Sequence, residues 1–164
     1  MRYTAYAGCI VAAALVAGCS NAPDTGKVSD DISAAMSGAI TAFNAHDAEK
    51  SVAIDAPGYI GMMHGMANVT GPAQDLALTK TLLADPAAKL EAPYPEVNVA
   101  AAGDMGIWKA TYNYTYTDPK TKAPATEQGN WVVVFRRQQD GTMKATLGIV
   151  SDTAPAAAAA APAT

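Results

Sequence analysis

Cysteine is nearly absent. Only Cys9 and Cys19 occur among 164 residues. Both precede residue 20, so the body of the chain can form no internal disulfide, build no thiolate metal cage and offer no catalytic thiol. Histidine is equally scarce, with His46 and His64 the two present, and no metal-ligand spacing is found. Basic side chains are outnumbered, 11 Lys and Arg against 15 Asp and Glu for a formal net charge of −4, and they form no patch. That argues against a nucleic-acid partner. Cys9 to Ala17 is apolar throughout, yet far shorter than the roughly 20 residues needed to cross a bilayer. There is no phosphate-binding loop, no Ser-His-Asp set, no internal repeat and no motif that calls for a cofactor.

What is present begins with an export signal. Arg2 is the one charge before Asp24, and a short basic start, an apolar stretch and small residues at its end are the layout of a secretory leader. Val16-Ala17-Gly18-Cys19 resembles the lipobox of bacterial lipoproteins. The resemblance implies cleavage after residue 18 and lipidation of the Cys19 thiol, which anchors the chain to a membrane. Ser20, in place of Asp, implies onward transport to the outer membrane, with the domain facing the periplasm. Residues 19–28 then read as a polar tether and residues 29–153 as one domain. The Ala/Pro tail 154–164 has no apolar period to bury and is expected to be disordered.

Within the domain, Ile32, Met36, Ile40 and Phe43 recur at steps of 4, 4 and 3, which predicts a helix over Ser29–Phe43 capped by Ser29 or Asp30. Asp47 caps a second, short helix that Pro57 and Gly58 stop. A strand is expected over Tyr59–His64. Gly71-Pro72 opens a third helix with Leu76, Leu82 and Leu83 toward the core, ended by Asp85-Pro86. The period then switches to two, with strands over Glu96–Ala101, Met105–Thr117, Thr126–Arg137 and Met143–Ser151, and Asp140-Gly141 is a hairpin turn. Helices followed by consecutive long antiparallel strands predict an α+β fold, with three N-terminal helices packed on a strongly curved, mostly antiparallel sheet that forms a cone.

Alternation places Trp108, Ala110, Tyr112, Tyr114 and Tyr116 on one face. Trp131, Val133 and Phe135 share a face of the next strand, and Met143, Ala145, Leu147 and Ile149 form an apolar row in the last. Met62, His64 and Met66 are expected on one side of their strand, with Met63 on the other.

This order of elements, together with Ala42-Phe43-Asn44-Ala45-His46-Asp47 at the first helix junction, resembles the nuclear transport factor 2-like superfamily. Ketosteroid isomerase and the SnoaL-like polyketide cyclases belong to it, and the local match is to its small bacterial branch. The resemblance covers roughly residues 29–152. It carries few functional residues across. The isomerase's general base falls on Met62, and the branch's His-Asp-His stretch in the last strand falls on Leu147, Gly148 and Ile149. Only Ser151 matches.

The candidate ligand-binding residues are therefore His64, Trp108, Tyr112, Tyr114 and Trp131, with Cys19 as the lipidation site. His64 is also the best candidate for a catalytic base. Alternatively it binds copper with the neighbouring methionines, or it caps a Met-rich core. Asp47 reads as a helix cap, and Glu127 and Asp152 as solvated charges. The expected role is uptake of a small, largely apolar molecule such as a steroid, fatty acid or polyketide-like aromatic. The alternatives are an isomerase, cyclase or hydrolase using His64 with a Tyr hydroxyl, and an interaction module, with a homodimer as one form.

Overall fold

A computed structural model describes residues 23–153. The expected leader, Cys19 and the Ala/Pro tail lie outside the described residues. Helix α1 runs Thr25–Asn44, and its cap is Asp24, whose carboxylate accepts from the Lys27 N–H at 2.9 Å. The helix thus starts four residues before Ser29, and residues 25–28, read as tether, are helical. Its face of Val28, Ile32, Met36, Ala39 and Phe43 is buried. At its end, the Asn44 side-chain amide donates to the Leu90 carbonyl and accepts from the Leu90 N–H, both at 2.8 Å. His46 turns the chain with φ 58°. Asp47 then caps the single turn α2, Ala48–Ser51, accepting from the Lys50 N–H at 3.0 Å.

Seven strands follow: β1 Asp55–Met63, β2 Val69–Thr70, then, after helix α3 Gly71–Leu83, β3 Lys89–Glu91, β4 Glu96–Val99, β5 Met105–Thr117, β6 Pro124–Arg137 and β7 Met143–Asp152. They form one sheet in the order β2-β1-β7-β6-β5-β3, with β4 also on β5. The β1–β7 pairing is parallel and the others are antiparallel. Helices and an open, curved sheet make this a mixed α/β architecture. Among the described residues no helix is long and apolar enough to cross a membrane.

Strand β1 starts ahead of Pro57 and Gly58, which were expected to precede it. The pairing with β7 is irregular between Asp55 and Ile60, and that irregular stretch accommodates a residue with no N–H to donate. The core is built where α1 packs on the inner face of the sheet, and Trp108, Phe135, Ile32 and Met36 are its largest fully buried side chains. Gly106 permits the close approach, because a Cβ there would meet the Ile32 side chain.

The apolar row expected in the last strand is broken. In the β6–β7 pairing Phe135 faces Ala145 but Val134 faces Leu147, so Thr146 is an extra residue, its hydroxyl donating to the Val134 carbonyl at 3.2 Å. Such a bulge shifts the alternation by one. Ala145 stays inside, Gly148 and Val150 turn inward after it, and Leu147 and Ile149 turn out.

Candidate functional site

Between α1, α3 and the inner face of the sheet lies a cavity of about 270 Å³. That is near the lower end of ordinary small-molecule pockets. Its walls are mainly apolar: Ile40 and Phe43 from α1, Leu82 from α3, Leu90 from β3, and Trp131 and Val133 from β6.

Of the sequence candidates, His64, Tyr112, Tyr114 and Trp131 all line this cavity. Trp108 does not. It is 1 % exposed and lies in the core beneath Trp131, with ring centroids 5.1 Å apart in an edge-to-face pair. In the Cα register Trp108 pairs with Val133, whereas Tyr112 and Tyr114 lie further along β5 and pair with Gly129 and Glu127. Tyr114 stacks on Tyr116 at 5.4 Å and meets the edge of Phe43 at 6.2 Å.

The expected side-sharing of Met62, His64 and Met66 does not hold. Tyr59 and Gly61 are buried while Ile60 and Met62 are exposed, so Met62, the position matching the isomerase base, faces outward. Met63 lines the cavity, the strand ends there, and the following turn brings His64 and Met66 back to the same cavity.

Two polar groups mark the cavity. At the more exposed one, His64 Nε2 lies 4.0 Å from Glu127 Oε2 and 3.8 Å from Asp152 Oδ2, and the Tyr112 hydroxyl donates to Glu127. Burial, followed by the Glu127 hydrogen bond and charge, pushes the Tyr112 phenol well above its ordinary value. Glu127 and Asp152, read as solvated charges, are thus brought together with His64. His64 itself has a 44 % exposed side chain.

The second polar group was not anticipated. Asp55 at the start of β1 and Asp75 on α3 both face the cavity, with Tyr59 beside them. Burial, then the charge and hydrogen bond of Asp75, raise the Asp55 carboxyl to about 8, opposed by Lys144. Burial also raises Asp75. Tyr59 is pushed up by burial and by the charges of Asp75 and Asp55. Asp55 Oδ2 is buried with no N–H or O–H donor on it. Two neighbouring carboxyls that are largely withdrawn from water cannot both ionise cheaply, so both are held toward their protonated forms. Asp75 shares a helix face with Thr79 and Leu82, at steps of 4 and 3, and that spacing is the one sequence signal that could have turned it inward.

No protein-family model matches the sequence, and no curated protein matches it. Solved structures do. A nuclear transport factor 2-like superfamily protein from Salmonella enterica superposes with TM-score 0.70 at 12 % identity, over 84 % of this chain and 99 % of that one. The fold is that of the nuclear transport factor 2-like proteins. A ketosteroid isomerase-like protein from Erwinia carotovora gives TM-score 0.64 at 17 % identity, over 77 % of this chain and 97 % of the other. A hexachlorocyclohexane dehydrochlorinase from Novosphingobium barchaimii gives 0.67 at 12 % identity, over 76 % and 86 %.

Proposed function

We propose that the protein takes a small, largely apolar molecule into the cone between its helices and the curved sheet, and does so in the cell envelope, held by lipid on Cys19. The observation that carries the binding reading is the open cavity of about 270 Å³ walled by Phe43, Leu82, Leu90 and Trp131. Removing apolar surface from water favours uptake by roughly 25 cal/mol for each Å². Calorimetric titration with 2-cyclohexylethanol, a small neutral guest, should give one saturable site with a negative heat-capacity change. Val150→Phe, which fills the cavity from β7, should abolish it. Absence of saturable heat, or binding unaffected by Val150→Phe, would refute the reading.

A second reading is catalysis in the same cavity, of the isomerase, cyclase or hydrolase kind. It is favoured by the convergence of His64, Glu127 and Tyr112 and by the enzyme among the structural neighbours. Turnover lost in His64→Ala would place it first. An interaction surface is favoured by the outward row of Ile60, Met62, Leu147 and Ile149, paired across β1 and β7, of which Ile60, Met62 and Ile149 are exposed. A homodimer is the simplest occupant of that face, and Met62→Lys should raise its dissociation constant in sedimentation.

A further inference from the structure

The charges facing the cavity are of one sign. Asp55, Asp75 and Glu127 line it, and no Lys or Arg does. The one lining side chain able to become cationic, His64, is engaged at the exposed end with Glu127 and Asp152. At the other end, Asp55 and Asp75 both face the cavity, and one Asp55 carboxyl oxygen is buried without a hydrogen-bond donor. The groups facing that pair are Tyr59 on β1, and Lys144 on β7, whose ammonium donates to the Ala53 carbonyl at 2.6 Å and does not line the cavity. Two carboxyls with one proton carry one negative charge, and a charge in an apolar chamber is costly to hold without a counter-ion.

Resting on the cavity-binding reading above, we propose that the occupant is a small organic amine, its ammonium seated on the Asp55–Asp75 pair and its apolar body against Phe43, Leu82 and Trp131. The balance is simple. The pair contributes one negative charge, the ammonium one positive charge, and the complex is neutral with the shared proton still in place. The ammonium donates charge-assisted hydrogen bonds to the carboxyls that face the cavity, which an apolar guest without a donor leaves unmade. The same charge repels carboxylates, which removes fatty acids from the ligand classes that the sequence suggested.

Three guests of one shape separate these statements: 2-cyclohexylethylamine, 2-cyclohexylethanol and cyclohexylacetate, each titrated calorimetrically into the protein at pH 7.5. The amine should bind at least tenfold more tightly than the alcohol, and the carboxylate should not bind measurably. In the double variant Asp55→Asn/Asp75→Asn the amine should fall to the level of the alcohol. Should that variant not fold, the wild type still tests the point. The amine's advantage should shrink as pH falls and the pair takes a second proton. Equal affinities for amine and alcohol, or tighter binding of the carboxylate, would overturn the amine and leave the cavity reading in place. So would a preference that survives the double variant and vanishes in Glu127→Gln. Failure of all three guests to bind would overturn both.

Discussion

Tyr59 of β1 lays its hydroxyl over Gly148 of β7, in the space that a Cβ at position 148 would occupy. The Thr146 bulge is what turns Gly148 inward to meet it. Position 148 is therefore a glycine for packing reasons, and the fit fixes where Tyr59 stands relative to the acid pair.

Gly148→Ala should destabilise the protein by about 1–3 kcal/mol, the usual effect of overpacking. Tyr59→Phe removes the atom first encountered and should recover part of that loss when combined with it. A double-mutant cycle in denaturant checks this. Strict additivity would mean that the two residues do not meet.

The acid pair makes stability depend on pH. Burial and the neighbouring Asp75 raise the Asp55 carboxyl from the ordinary carboxylate range to about 8, so the folded state holds its proton more tightly than the unfolded state does. Its stabilising contribution is complete below about pH 4 and is lost as pH rises through 8, with a slope of at most about 1.4 kcal/mol per pH unit. Denaturation midpoints should fall between pH 5 and 9, and Asp55→Asn should flatten that fall. A midpoint that rises over this range in the wild type would contradict the pairing.

Asp47 holds the start of α2 by accepting from the Lys50 N–H at 3.0 Å. Asp47→Ala should lower the thermal midpoint by a few degrees, and Asp47→Ser should restore most of it, because a hydroxyl can also accept that bond. Equal damage by Ala and Ser would show that the side chain does something other than cap.

Much of this was legible in the sequence because periodicity is a local signal. The 4, 4, 3 spacing of Ile32, Met36, Ile40 and Phe43 marked α1, and the alternation from Trp108 to Tyr116 marked the inner face of β5. What was not legible depended on long-range pairing. The bulge at Thr146 exists only because β7 pairs with β6, and it reverses every assignment after Ala145. Asp55 and Asp75 are 20 residues apart in sequence, on a strand and a helix. Neither sits in a motif, and only the packing of α3 on β1 brings their carboxyls together. Trp108 is buried in the core and does not line the cavity, because face alone does not say which side chains the helices and neighbouring strands cover.

The proposed membrane attachment rests on Cys19, whose thiol is the one group in Val16-Ala17-Gly18-Cys19 able to form a thioether. Cys19→Ser should leave uncleaved or unlipidated protein, read as loss of radiolabelled palmitate. Equal labelling of wild type and variant would rule out that site.

The central claim, that the cavity admits a guest, is tested most directly by tryptophan fluorescence. Trp131 lines the cavity and Trp108 lies beneath it, and 2-cyclohexylethylamine does not absorb where they emit. Titration should give a saturable shift or quench that is largely lost in Trp131→Phe, in which Trp108 still reports on the core. A linear response without saturation, or an undiminished saturable response in Trp131→Phe, would contradict the account.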